Sequence, residues 1–148
     1  MDKANKYYYD FAFENYDDSV YLFDVFDSFN QSYVNSKCYC RALIARNVLD
    51  QGNNELFIDM LKGIRFDFNG LKDEEGKFFF ELTEYYDTEA FIEYLESFYV
   101  HNKLDKLKYA KSAINKAINH TTNETLRVKY VRKQKIIEER MEKLLTNI

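Results

Sequence analysis

The spacing of apolar residues switches period along this chain, and those switches constrain the fold more than any bulk figure. From Tyr7 to Phe13 the aromatics Tyr7, Tyr9, Phe11 and Phe13 occupy alternate positions. A period of two marks a strand buried on one face. After Asp17-Asp18-Ser19, residues suited to capping a helix, Leu22, Phe26, Phe29 and Tyr33 step by four, three and four. That is the inner stripe of an amphipathic helix, with Asp17, Asp24 and Asp27 on its opposite side. A second helix is expected over Lys37–Asp50, with Cys38, Ala42, Ala45 and Leu49 inward and Gly52 as its stop.

A short helix over Asn54–Lys62 should end before Gly63. Beyond it Ile64, Phe66 and Phe68 alternate with Arg65, Asp67 and Asn69, and Phe78, Phe80 and Leu82 alternate in the same way. Gly70, Asp73 and Gly76 lie between the two runs, so they read as a β-hairpin with a long loop. The Tyr7–Phe13 strand can pair with it. Asp87-Thr88-Glu89 opens another helix, with Phe91, Leu95 and Phe98 inward and Glu89, Glu93 and Glu96 as an acidic outer stripe. The last third reads as a helical hairpin. Leu104, Leu107, Ile114 and Ile118 line its first arm, and Thr121-x-x-Glu124 matches a capping box at the turn. In the second arm Leu126, Tyr130 and Lys133 recur eleven residues later as Ile137, Met141 and Leu144, which keeps one stripe along a nearly straight helix. The expected class is therefore α+β, mostly helical. A small antiparallel sheet, made of the hairpin plus the N-terminal strand, packs with helices, and a basic helical hairpin follows.

Charge divides the 148 residues at about His101. Residues 1–100 carry nine basic and twenty acidic side chains, a net of −11, and residues 101–148 carry twelve and five, a net of +7. The expected organisation is an acidic α+β domain over 1–100 and a basic hairpin over 101–148, packed together as one unit. Such asymmetry points to charged partners. No run of about 18 apolar residues suggests a membrane span, and no apolar signal core follows Met1, so a cytoplasmic protein is expected. The lack of Pro and Trp beside abundant Tyr, Phe and Asn fits an AT-rich genome, such as a bacterium's or that of its phages and plasmids. The sequons at Asn30, Asn119 and Asn123 are then chance matches.

Catalytic and metal motifs are scarce. The two cysteines, Cys38 and Cys40, exclude a disulfide scaffold and do not have zinc-knuckle spacing. There is no Gly-rich phosphate loop, no Gly-x-Ser-x-Gly and no His-Glu-x-x-His, and neither His101 nor His120 has a nucleophile beside it in sequence. Asp67-Phe68-Asn69-Gly70 opens like a calcium loop, but its Gly comes two places early. Asp67 with Glu75-x-Lys77 resembles the acid and Glu-x-Lys arrangement of metal-dependent nucleases, in which acids hold Mg²⁺ and the lysine assists the attacking water. Asp67, Glu75 and Lys77 would carry that activity. The competing reading is a hairpin turn, where acids, Gly and Lys are expected anyway. No cofactor is expected.

Between Tyr7 and Phe29 lie ten aromatic and six acidic residues and no basic one. Both periods send about half of those aromatics to a core. Tyr8, Tyr16 and Tyr21 remain on the acidic sides. Tyrosine is favoured at interfaces, and carboxylates among tyrosines suit a basic partner surface such as a nucleic-acid-binding cleft, where they take the places of phosphates. Asp10, Glu14, Tyr16, Asp17, Tyr21, Asp24 and Asp27 form the candidate partner-binding set. A solvated acidic face is the bland alternative. In the last third Arg127, Lys129, Arg132, Lys133 and Lys135 are candidate nucleic-acid contacts of the kind that follow phosphate backbones without reading sequence. The Leu126–Ile148 stripe could also make a homodimer seam.

Over its whole length the chain resembles, in general make-up, small phage or mobile-element inhibitors such as anti-CRISPR and anti-restriction proteins: short, acidic, tyrosine-rich and poor in motifs. The resemblance implies a non-enzymatic inhibitor that blocks a host nucleic-acid-binding protein or nuclease complex. The alternatives are a nucleic-acid-binding or regulatory protein acting through the basic helices, and a metal-dependent nuclease.

Overall fold

A computed structural model describes residues 16–147, with side chains from Phe29 onward. Among these residues the chain forms five helices: α1 (Tyr16–Asp50), α2 (Asn54–Asn69), α3 (Thr83–Glu96), α4 (Lys103–His120) and α5 (Glu124–Thr146). The expected antiparallel sheet is not formed by them; the class is all-helical, not α+β. The Tyr7–Phe13 strand expectation lies outside the described residues.

The hairpin expectation fails for a reason visible in the spacing. Phe57, Leu61, Ile64 and Phe68 step by four, three and four, and all four are buried on one face of α2. The alternation over 64–68 was therefore the tail of a helical stripe, and Phe66, 81% exposed, is on the helix's far side. Gly63 does not stop the helix; a Cβ there would meet Arg41 of α1 at ordinary contact distance. Phe78–Leu82 runs across without a ladder. One isolated bridge joins Lys72 to Phe78, and the Phe79 amide donates to Leu71 O at 3.0 Å. The Asp73 carboxylate accepts from the Glu75 and Lys77 amides, at 2.9 and 3.0 Å, and so shapes the turn.

Two helices expected before Asp50 are one continuous α1. Its second half has the predicted inner face, with Cys38, Ala42 and Ala45 fully buried. Of the stripe expected in its first half, Leu22 and Phe26 lie outside the residues whose side chains are described, and Phe29 and Tyr33 are 65% and 67% exposed rather than inward. Gly52, at φ +84°, ends the turn into α2 as its spacing suggested. The Asn53 side chain caps α2 through the Leu56 amide.

α3 is the hub. One core cluster joins it to α1 and α2 through Ile92 and Leu95, and a second joins it to α4 and α5 through Tyr86 and Ala90. Phe78 bridges the clusters, its ring 5.7 Å from Phe68 and 5.3 Å from Tyr86. Ala110, Ala113 and Ala117 give α4 a small-residue face in the second cluster, where backbones can approach closely. The α4–α5 turn is not the expected capping box. Asn123 caps α5 through the Leu126 amide, and Thr121 Oγ1 accepts from the Asn123 amide instead. Within α5 the eleven-residue stripe holds from Tyr130 onward, with Tyr130 and Ile137 buried and Met141 and Leu144 packed beside them, while Leu126 at its start is exposed.

Candidate functional site: the α1 face and the ionic centre

The candidate partner-binding residues fall into two groups. Asp10 and Glu14 lie outside the described residues. Tyr16, Asp17, Tyr21, Asp24 and Asp27 are all on α1. As one helix, Asp17, Tyr21, Asp24 and Asp27 step by four, three and three, which places them along one side by register. At 1.5 Å per residue, Tyr16 to Tyr33 spans about 25 Å of helix. Among its described residues, α1 buries Gln31 Oε1, sets Ser32 beside the buried Tyr85 and packs Val34 and Asn35 against the core.

The basic candidates on α5 do not form one surface. Lys133 turns inward. Its ammonium donates to both Asp87 carboxylate oxygens, at 2.7 and 2.8 Å, and to the Tyr39 hydroxyl at 2.9 Å. It also lies over the Tyr39 ring, 4.9 Å from the centroid. Burial opposes the charge on Lys133, but Asp87 and Tyr39 outweigh it and raise the pKa. For Asp87 burial wins over Lys133, and its pKa is raised. Arg127 reaches back to Glu124 and donates to Thr121 O at 2.7 Å, closing the turn before α5. Lys129, Arg132 and Lys135 remain exposed.

The nuclease candidates are held in local roles. Asp67 forms an ion pair with Arg41 at 2.6 Å. Glu75 and Lys77 are exposed in the Asp73-organised turn, 3.9 Å apart. Among the described residues no group of three His, Cys, Asp or Glu is placed to hold a metal ion. Cys38 is buried, which raises its thiol pKa.

The largest electrostatic feature is one that the spacing misplaced. Glu89, Glu93 and Glu96, expected on an acidic outer stripe of α3, instead surround Arg65 of α2. Glu93 and Glu96 are buried, and Glu89 is nearly so. The Arg65 guanidinium donates to Glu96 at 2.5 and 3.2 Å, to Glu93 at 3.1 Å and to Glu89 at 3.5 Å. Lys72 meets Glu89 at 2.5 Å, and Lys106 meets Glu93 and Glu96 at 3.2 and 3.3 Å. Three cations balance three carboxylates. Burial works against the Arg65 charge, but its hydrogen bond to Glu96 and the three carboxylates hold its pKa above the usual value. Burial raises Glu93, against the pull of Arg65 and Lys106. The missed signal was Arg65 itself, in register with the carboxylates of a helix that is packed on both sides.

Arg140 of α5 closes the C-terminal end of α3, one residue beyond Glu96. Its guanidinium stacks on Phe98, 3.7 Å from the centroid, and donates to Ser97 Oγ and Ser97 O at 2.9 and 3.1 Å. A cation at a helix C-terminus also complements the helix dipole. The ionic centre and this cap are internal fastenings that join α2, α4 and α5 to α3. Of the aromatics described in the first half of α1, Phe29 and Tyr33 are both exposed. No helix of the described residues is long and apolar enough to cross a membrane. No protein-family model matches the chain, and no curated protein and no solved structure matches it either.

Proposed function

We propose that the chain is a non-enzymatic inhibitor of the phage or mobile-element type. In this reading the acidic, tyrosine-rich first half of α1 occupies the basic surface of a nucleic-acid-binding host protein. The observation that carries the reading is Tyr33, a large aromatic left two-thirds exposed on α1 beside Val34, which packs against the core. Burying such a side chain in a partner contributes about 2 kcal/mol, and the acids upstream on α1 supply charge to steer a cationic surface towards it. The internal duties of Lys133 and Arg127 favour this reading over phosphate binding along α5, because they remove two of the five cations from a continuous basic strip.

The test is affinity capture from nuclease-treated host lysate with the wild-type chain and with Asp17→Lys/Asp24→Lys/Asp27→Lys. The expected result is one stoichiometric nucleic-acid-binding protein that the charge-reversed chain no longer captures. Capture that survives the reversal, or retention of nucleic acid alone when nuclease is omitted, would contradict the assignment.

A further inference from the structure

A groove of about 370 Å³ opens between α3, α4 and the 70–82 loop. That volume lies within the range of small-molecule sites. On α4 its wall is Tyr109, Ser112, Ala113 and Lys116, one helix face with a ring at one end, a cation at the other and two small residues between. Seven residues of helix separate ring and cation by about 10 Å. Lys77 contributes from the loop, and Phe78 and Tyr86 form the apolar inner side.

The charges around the groove are unequally engaged. Lys72 is held by Glu89, and Glu93 by Arg65 and Lys106, so the deep charges are neutralised. Glu81, at the rim, accepts from the Tyr86 hydroxyl at 2.8 Å. Burial first, then the Glu81 contact, pushes the Tyr86 pKa up to about 12, so it stays a neutral donor. Lys116 lies over the Tyr86 ring, 5.5 Å from its centroid, and forms no ion pair among the described residues. Among the described residues Lys77 pairs only with exposed Glu75, at 3.9 Å. Tyr109 is 63% exposed, so its ring is open to a stacking partner. An aromatic platform and two cations without buried partners, set across a floor of Ser and Ala, match a ligand with a flat ring and a negative group.

We propose that this groove binds a small aromatic anion of mononucleotide size, its ring on Tyr109 and its phosphate towards Lys116 and Lys77. Neither the α1 face nor the partner proposed for it enters this argument. Adenosine monophosphate is the probe, titrated into the full chain by calorimetry, with adenosine and inorganic phosphate as comparisons. Saturable binding of the monophosphate is expected, tighter than either fragment. Loss of one base-to-ring stack weakens such binding by about tenfold in Tyr109→Ala, and Lys116→Met should weaken it by a similar factor. Both side chains are exposed on a helix, so circular dichroism should show the fold retained. Amide NMR shifts on the wild-type chain should centre on Tyr109, Ser112, Ala113 and Lys116. No saturable binding at millimolar monophosphate overturns the proposal. So does equal binding of adenosine or of phosphate alone, indifference to both substitutions, or shifts centred on α1 or α5.

Discussion

Arg65 stands where three carboxylates of α3 would otherwise meet within a packed interface. Removing one partner of a buried ion pair typically costs about 3–5 kcal/mol, because the remaining charges lose their compensation. Arg65→Met should therefore lower unfolding free energy by about 3 kcal/mol or more in a denaturant titration. The pH dependence has a definite sign. Glu93 has a folded pKa raised above its ordinary 4.5 by burial, against Arg65 and Lys106. A raised folded pKa means that the folded state takes up the proton more readily, so Glu93's contribution is full below pH 4.5 and is lost as pH climbs through the folded value. Arg65 is the larger of the two cationic pulls that hold Glu93 down, so without it Glu93 rises further. The variant should then regain part of its deficit as pH falls from neutral towards 5. A deficit under about 1 kcal/mol, the level of an exposed pair, or one that grows on acidification, would contradict the buried ionic centre.

At the scale of the element, α5 shows how far residue type alone can mislead. Arg127, Lys129, Arg132, Lys133 and Lys135 look alike in sequence, yet Lys133 is threaded between Asp87 and the rings of Tyr39 and Tyr130 while Lys129 and Lys135 are exposed. Lys133→Met should destabilise the chain by about 2 kcal/mol, below the fully buried case because the lysine is partly exposed. Lys129→Met and Lys135→Met should stay within about 0.5 kcal/mol. Thermal melts of the three variants check this, and equal effects would contradict the inward placement. The same scale shows what was legible. The four-three-four steps of α2 and α5 are in the sequence, and Cys38, Ala42 and Ala45 face the core as their spacing required. The β-hairpin reading failed because three alternating residues, Ile64, Phe66 and Phe68, fit a strand and a helix tail equally well; only Phe57 and Leu61 upstream decide between them. Glu89, Glu93 and Glu96 were placed outward because amphipathicity assumes one buried face, whereas α3 is buried on two.

The described residues form a helical body organised around α3, with fastenings at the ionic centre, at Lys133–Asp87 and at Arg140–Ser97. Its net charge of −4 conceals an acidic first part and a basic last part. Folding engages a share of the basic residues internally, through Lys106, Arg127, Lys133 and Arg140. The acids of the first half of α1 lie apart from those fastenings along the chain. None of this was readable from charge counts, since an ion pair between residues 46 positions apart leaves no local spacing signal.

The most direct test of α1 as the interface is photo-crosslinking in host cells. A benzophenone amino acid replaces Tyr33 in one variant and Lys129 in another. A discrete protein adduct is expected from position 33 and none from position 129. An adduct from position 129 alone, or crosslinks to nucleic acid at either position, would contradict it.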